Sequence, residues 1–269
     1  TGKGLIKKAD TALYYAKKVG RNRLAHAGEV NAQVVFVKTA LHQLEGEKIT
    51  GRGLQLAQVA KYFQNFRQGQ SQFLIIEGNP GMGKTSLLET IRRVLSPSKL
   101  IKQVRVRGRI QEMFSPYALM THILVALLNQ RQDKGVGIFE ALSSKEMNHL
   151  ARILPHLAGP EEVPRGENLT AQRQGLFNTL LYFVPKTLDF QPLLLLIDDL
   201  QFADEATLLL LRRLMLQREG RFFLCGTSTP IDHLKREEQP SPFARFYGAY
   251  QPELDIHSIS LTPLTVQDI

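Results

Sequence analysis

The chain has 269 residues, enough to bury a sizeable hydrophobic core, and it carries a formal net charge of +9 and one cysteine. A single cysteine excludes a disulfide-built scaffold, and every apolar run is shorter than the roughly 20 residues that a helix needs to cross a bilayer. We therefore expect a soluble α/β protein of the cytoplasm, without membrane contact. Cys225 lies in an apolar run, which predicts a buried small side chain.

Residues 1–25 are strongly basic and have the pattern of an amphipathic helix. Seven basic side chains against one acid give this segment +6 of the net charge of +9. Residues 9–23, A-D-T-A-L-Y-Y-A-K-K-V-G-R-N-R, resemble the closing helix and turn of a GGDEF domain, the diguanylate cyclase fold. The signature loop and GTP residues of that family do not occur in the chain, so the resemblance implies no cyclase activity. We interpret residues 1–27 as a terminal remnant of such a domain, and expect that the chain was cut from a longer protein or descends from one whose cyclase domain eroded.

The remaining residues are predicted to form a linker, residues 28–48, and one α/β unit, residues 49–269. Apolar runs predict five mainly parallel strands that alternate with helices in a three-layer α/β/α arrangement. The strands are expected near residues 72–77, 103–107, 193–198, 221–227 and 255–261. The main helices are expected near residues 116–130, 138–157, 170–188 and 205–217.

Residues 78–85 match the phosphate-binding loop pattern G-x-x-x-x-G-K-[ST] without a mismatch. The loop follows a predicted strand and precedes a predicted helix, as the motif requires, so its amides and the helix dipole can favour phosphate groups. Lys84 is predicted to reach the β- and γ-phosphates of a nucleoside triphosphate, and Thr85 to offer its hydroxyl to Mg²⁺. The predicted binding residues of this segment are Gly78, Asn79, Pro80, Gly81, Met82, Gly83, Lys84, Thr85 and Ser86.

A second apolar run, residues 193–197, ends on the two acids Asp198 and Asp199. Because a strand that is apolar on both faces belongs in the middle of a parallel sheet, its carboxyl end should lie beside the phosphate loop. Asp198 is therefore expected to bind the metal together with Thr85, and Asp199 to polarise the attacking water as a catalytic residue with Lys84. An alternative interpretation of the two acids is a turn that caps a helix. Asp204, which precedes the next predicted helix, is interpreted mainly as its N-cap.

The distribution of positive charge argues against nucleic acid as a partner. Outside residues 1–25 the chain is only mildly basic, and it contains neither zinc-finger spacing nor an aromatic stacking ladder. Arg105, Arg107 and Arg109 alternate along a predicted strand and are interpreted as a solvated charged face. We therefore expect no nucleic-acid binding.

Residues 49–269 resemble the signal-transducing ATPases called STAND, which are related to AAA+ proteins. Besides the phosphate loop, residues 115–118 (S-P-Y-A) resemble the family's P-Y-A-P segment, and residues 198–204 (D-D-L-Q-F-A-D) resemble its D-D-L-Q-W-A-D. Gly51–Arg52 stands where the family has a G-R-E motif near the adenine, with Gly53 in place of the acid. The resemblance implies an α/β P-loop NTPase fold with ATP and Mg²⁺ as ligands.

The chain departs from the family at Thr229, which occupies the position of the arginine that senses the γ-phosphate. A neutral hydroxyl removes a charge-assisted hydrogen bond, so we expect binding to be retained more securely than fast hydrolysis. Residues 261–264 resemble the segment that leaves the ATPase core for a winged-helix lid. The resemblance therefore implies a lid and covalently linked sensor and effector domains that this sequence lacks.

Two function classes fit these patterns. The first is an ATP-binding signal-transduction module whose slow, Mg²⁺-dependent hydrolysis drives a conformational switch in a larger multidomain regulator. The second is a non-hydrolysing scaffold, in which nucleotide occupancy orders the domain for self-association or docking. A DNA-associated AAA+ ATPase would share the same loop but is less favoured, because its salt-dependent binding to DNA is not predicted by the charge distribution. Whether the chain is an enzyme is left open, with weak ATPase activity favoured.

Overall fold

The computed structural model describes residues 51–95, 101–131, 136–155, 169–217, 220–235 and 240–264. The predicted GGDEF remnant, residues 1–27, and the predicted linker, residues 28–48, lie outside these ranges. The α/β core is described from Gly51 onward. Within the described residues no helix is both long enough and apolar enough to span a membrane.

Five strands form one sheet, and each neighbouring pair is parallel. The strands are β1 (Gln72–Glu77), β2 (Lys102–Arg107), β3 (Leu193–Asp198), β4 (Phe222–Ser228) and β5 (Ile256–Ser260). Their order across the sheet is β2-β3-β4-β1-β5. The predicted five-stranded parallel α/β fold is confirmed, and the central strands are the most apolar ones.

The described helices alternate with the strands along the chain. They are α1 (Gly53–Arg67), α2 (Lys84–Leu95), α3 (Ala118–Asn129), α4 (Val136–Phe139), α5 (Ser144–Ala151), α6 (Leu169–Thr187), α7 (Glu205–Leu216), α8 (Ile231–Lys235) and α9 (Pro242–Leu254). The described residues also contain 3₁₀ turns at Ile110–Glu112 and Leu200–Phe202.

Successive side chains of a strand point to opposite sides of the sheet, so the apolar central strands give the sheet two apolar faces. Helices pack on both of these faces. Phe73 and Ile75 of β1 pack in a core with α3, α6, α7 and α9, whereas Leu74 and Ile76 pack in a second core with α1 and α2. This arrangement is the predicted three-layer α/β/α architecture. Cys225 lies fully buried in the second core, as predicted, and burial raises the pKa of its thiol to about 12.

The prediction of a single helix near residues 138–157 was wrong. The structure has two short helices there, because Ser143 begins a new helix with a capping box. The Ser143 hydroxyl accepts from the Glu146 amide, and the Glu146 carboxylate accepts from the Ser143 amide. The helix expected from residue 116 begins instead at Ala118, since Tyr117 has a left-handed backbone with φ of 64°.

The carboxyl ends of the strands meet at one edge of the sheet, and this edge carries the candidate site. Asp198 at the end of β3 lies opposite Arg107 of β2, and the amide of Gly78 donates to the Ser228 carbonyl at the end of β4. The phosphate loop therefore leaves β1 beside β4 and close to β3. In parallel α/β sheets this edge is where ligands bind.

Candidate functional site

The loop between β1 and α2 has the backbone shape of a phosphate cradle. Gly81 and Gly83 both adopt positive φ, at 84° and 85°. A side chain would be strained at either position, although a Cβ at each would meet no heavy atom within 4 Å. The space in front of both residues is therefore open to a ligand, and successive amides can face it.

Lys84, the first residue of α2, bends back over this loop. Its Nζ donates to the carbonyl oxygens of Gly78 at 2.7 Å and Asn79 at 3.1 Å. Partial burial lowers the pKa of Lys84, and the charges of Asp199 and Asp198 act in the opposite direction. The ammonium therefore lies between the loop and the two acids, where an incoming phosphate would meet it.

Asp198 is buried, and it connects three elements of the fold. Its Oδ1 accepts hydrogen bonds from the Thr85 hydroxyl of α2 at 3.1 Å and from the Thr227 hydroxyl of β4 at 2.6 Å. The structure thus brings together Thr85 and Asp198, which lie 113 residues apart. Thr227 was missed by the sequence analysis. The sequence signal that could have found it is that Thr227 ends the apolar run predicted as the fourth strand, residues 221–227.

Asp199 is held in a left-handed conformation with φ of 54°, and its carboxylate forms an ion pair with Arg107. The Arg107 Nε lies 2.8 Å from Asp199 Oδ2, and this hydrogen bond raises the pKa of Arg107. The Asp199 amide also donates to the Thr227 hydroxyl at 2.9 Å. Thr227 therefore contacts both acids and fixes their relative positions.

The three arginines of the β2 segment are exposed, as expected for a solvated charged face, and each is also paired with an acid. Arg107 pairs with Asp199, and Arg109 pairs with Glu112 at 3.1 Å. Arg105 lies between Glu89 of α2 and the buried Asp198. Two of these three cations therefore belong to the surroundings of the candidate site.

Arg52 closes one side of the site from the amino-terminal end of α1. Its guanidinium is buried and donates to the carbonyl oxygens of Met82 at 3.0 Å and Thr262 at 2.8 Å. Arg52 thus joins the phosphate loop to the segment after β5, and Gly51 before it has a φ of 71°. A pocket of about 390 Å³ opens here. It is lined by Arg52, Gly81, Met82, Gly83, Ser86, Leu87, Pro263 and Leu264.

Thr229 follows the last residue of β4, at the same edge of the sheet. Its hydroxyl is buried and has no hydrogen-bond partner among the described residues, and the same holds for the Ser228 hydroxyl. No positive charge stands at this position. At the end of β4 the described part of the chain thus has two buried hydroxyls without a hydrogen-bond partner.

Asp204 lies outside the cluster of site residues and has a structural role in two helices. Its carboxylate accepts from the amide and hydroxyl of Thr207, at 2.9 and 2.7 Å, which confirms the predicted N-cap of α7. It also accepts from the amides of Tyr117 at 2.8 Å and Leu119 at 3.1 Å, at the start of α3. One buried carboxylate thus caps α3 and α7 together.

The residues present fit a magnesium nucleotide. The Thr85 hydroxyl and the Asp198 carboxylate are hard oxygen donors 3.1 Å apart, and Mg²⁺ commonly uses one or two such protein ligands while it keeps several waters. The open backbone at Gly81 and Gly83 and the Lys84 ammonium suit a chain of phosphates. The pocket beside Arg52 adjoins the same loop and has room for a further part of the ligand.

Comparison with known proteins identifies the family. The family model described as "AAA ATPase domain" matches residues 48–225, more than half of the chain. No curated protein matches the chain. A chain of the "Structure of E. coli MS115-1 HORMA:CdnC:Trip13 complex" is similar at 14% identity and a TM-score of 0.33. That match covers 88% of this chain and 64% of the other, so this chain spans less than two thirds of its length. The chain belongs to the AAA ATPase domain family, whose members are nucleotide-binding ATPases.

Proposed function

We infer that this chain is the ATPase module of a STAND-type signal-transduction protein, which binds ATP with Mg²⁺ and hydrolyses it slowly to reset a conformational switch. The observation that carries this proposal is the meeting of four side chains at one edge of the sheet, namely Lys84, Thr85, Asp198 and Asp199. Phosphoryl transfer needs a cation at the phosphates, oxygen ligands for a metal and a group that positions the nucleophile. These residues supply all three.

Each residue has a separate task in this proposal. The loop amides and Lys84 bind the β- and γ-phosphates, and the pocket beside Arg52 takes the base. Thr85 and Asp198 would hold Mg²⁺, and the metal would neutralise part of the negative charge of the phosphates. Asp199 orients the attacking water. Sensor and effector domains joined covalently to this module are its proposed partners, and nucleotide-dependent self-association is a further one.

Slow turnover follows from two features of the site. Asp199 is paired with Arg107, so its carboxylate must share or leave this ion pair before it can accept a proton from water. Thr229 offers no charge to the γ-phosphate, and a missing transition-state donor commonly costs about 100-fold or more in rate. The same Thr229 observation favours the second candidate, a non-hydrolysing scaffold that responds to nucleotide occupancy alone.

Calorimetric titration with ATP and with GTP, each in the presence of Mg²⁺, tests the proposal when it is followed by an assay of phosphate release. Saturable ATP binding with slow release supports the hydrolysing switch. ATP binding without release supports the scaffold instead. Absence of binding to both nucleotides would contradict the two candidates together, and preference for GTP would contradict the choice of ATP.

Asp199→Asn separates binding from catalysis. The variant keeps the side-chain volume but lowers the basicity of the group that faces the attacking water, so we expect turnover to fall at least about tenfold. Nucleotide affinity should rise by less than about threefold, because the variant removes a negative charge that repels the phosphates but that Arg107 already compensates in part. Phosphate release under single-turnover conditions gives the first quantity, and calorimetry gives the second.

Asp189→Asn is the matched control for this variant. Asp189 precedes β3, at the opposite edge of the sheet from the site, and pairs with Arg131 at 2.8 Å. Its replacement should leave turnover and affinity at the wild-type values. Wild-type turnover in Asp199→Asn would remove Asp199 from its assigned role.

A further inference from the structure

Among the described residues, Arg105 is the one cation that forms an ion pair with the oxygen of Asp198 that the hydroxyls leave free. Its Nη2 lies 3.7 Å from Asp198 Oδ2, whereas Oδ1 accepts from Thr85 and Thr227. Oδ1 therefore has two hydroxyl donors, and Oδ2 has a guanidinium nearby at 3.7 Å. The Asp198 side chain is only 6% exposed but that of Arg105 is 37% exposed, so water screens this pair less than a fully exposed pair and more than a buried one.

The position of Arg105 is fixed by an anchor on the helix that follows the phosphate loop. Arg105 Nη1 donates to Glu89 Oε2 at 2.8 Å. Glu89 is itself held by Arg92, whose Nη2 lies 2.6 Å from Oε1, and this hydrogen bond lowers the pKa of Glu89. Glu89 thus binds one nitrogen of the Arg105 guanidinium, and the other nitrogen lies beside Asp198.

A fixed cation at this place has two opposite effects on the ligands. It repels a divalent cation that approaches Asp198, because like charges a few ångströms apart disfavour each other. It also attracts phosphates that bind near Asp198, because opposite charges favour each other. Both effects reduce the extent to which nucleotide binding depends on Mg²⁺.

We propose that Arg105, anchored by Glu89, is a positioning residue that sets the metal dependence of nucleotide binding by standing in for part of the charge of Mg²⁺ at Asp198. The inference rests on the proposed function, since it concerns the same site. It assigns to Arg105 the task of allowing nucleotide to stay bound when the metal is absent. Hydrolysis would still need the metal.

The test measures the affinity of the non-hydrolysable ATP analogue AMP-PNP by calorimetry, once with Mg²⁺ and once with a chelator. The ratio of the two dissociation constants gives the enhancement by Mg²⁺. In Arg105→Met we expect this enhancement to rise at least about fivefold above wild type. The variant should bind AMP-PNP more weakly in the chelator, because a cation near the phosphates is lost, and should bind Mg²⁺ more tightly, because a cation near Asp198 is lost. Glu89→Gln should change it in the same direction by a smaller factor.

Two further variants make the result specific. Arg105→Lys retains the charge but has one nitrogen in place of the two that contact Glu89 and Asp198, so its enhancement should lie between those of wild type and Arg105→Met. Arg109→Met removes one positive charge from the same segment but breaks only the pair with Glu112, so its enhancement should equal that of wild type. Thermal denaturation of each variant shows whether it is folded. If Arg105→Met does not fold, the comparison of Glu89→Gln with wild type decides the question.

The outcomes distinguish this inference from the proposed function. Wild-type protein that binds AMP-PNP with Mg²⁺, together with an unchanged enhancement in both Arg105→Met and Glu89→Gln, overturns the inference and leaves the proposed function intact. An enhancement that rises equally in Arg109→Met also overturns it, because the effect would then be one of net charge. Wild-type protein that binds no AMP-PNP under either condition overturns the proposed function and the inference with it.

Discussion

Replacement of Lys84 by alanine is expected to weaken ATP binding at least about 100-fold. The ammonium is the cation that lies over the phosphate loop, 2.7 Å from the Gly78 carbonyl and close to both acids. Its loss removes charge-assisted hydrogen bonds to the phosphates and leaves Asp198 and Asp199 to repel them. Calorimetric titration with ATP and Mg²⁺ measures the change directly.

Lys61→Ala is the matched control for the Lys84 variant. Lys61 is an exposed residue of α1 and not part of the phosphate loop, so its replacement lowers the net charge by the same amount as Lys84→Ala and leaves the loop unchanged. Its affinity for ATP should remain within about twofold of wild type. An affinity of Lys84→Ala within threefold of wild type would show that the loop does not hold the phosphates as we propose.

Replacement of Asp204 by alanine is expected to lower the free energy of unfolding by about 3 kcal/mol. The carboxylate is 2% exposed and accepts four hydrogen bonds, from the amides of Tyr117, Leu119 and Thr207 and from the Thr207 hydroxyl. Alanine leaves the amides at the start of α3 and α7 buried without an acceptor. Urea denaturation followed by circular dichroism gives the difference between the variant and the wild type.

Two other substitutions separate the capping role of Asp204 from a general effect of charge. Asp204→Asn keeps one acceptor oxygen, which can still accept from the amides of Tyr117 and Thr207 that donate to Oδ1 in the wild type. This variant should therefore lose roughly half as much stability as Asp204→Ala. Glu205→Ala removes the neighbouring exposed acid and should cost less than about 0.5 kcal/mol. Equal stability of Asp204→Ala and Glu205→Ala would refute the shared cap.

The phosphate loop and the two acids could be recognised in the sequence because each is a local pattern. The glycine spacing of residues 78–85 between an apolar run and a helix follows from backbone sterics over eight positions. The run of leucines before Asp198 shows directly that this strand is buried on both faces. Elements whose signal depends on composition over a few residues were therefore predicted with nearly correct bounds.

The break between α4 and α5 was missed because a helical hydrophobic pattern continues across it. Leu142, Leu150 and Ile153 all have apolar side chains packed in or against one core, so their spacing looked like one helix. The competing signal was the Ser143 and Glu146 pair, which begins a helix through reciprocal hydrogen bonds. The start of α5 is therefore set by the capping hydrogen bonds of Ser143 and not by the hydrophobic periodicity.

By itself the sequence determined the α/β fold, the phosphate loop and the identity of the acids, since these depend on the order of residues along single elements. Only the tertiary structure decided which groups surround the acids. Arg105 and Arg107 pair with Asp198 and Asp199, and Thr227 contacts both acids, because β2, β3 and β4 lie side by side in a particular register. Such contacts join residues 28 to 93 positions apart, and no local pattern in one chain records the register between distant strands.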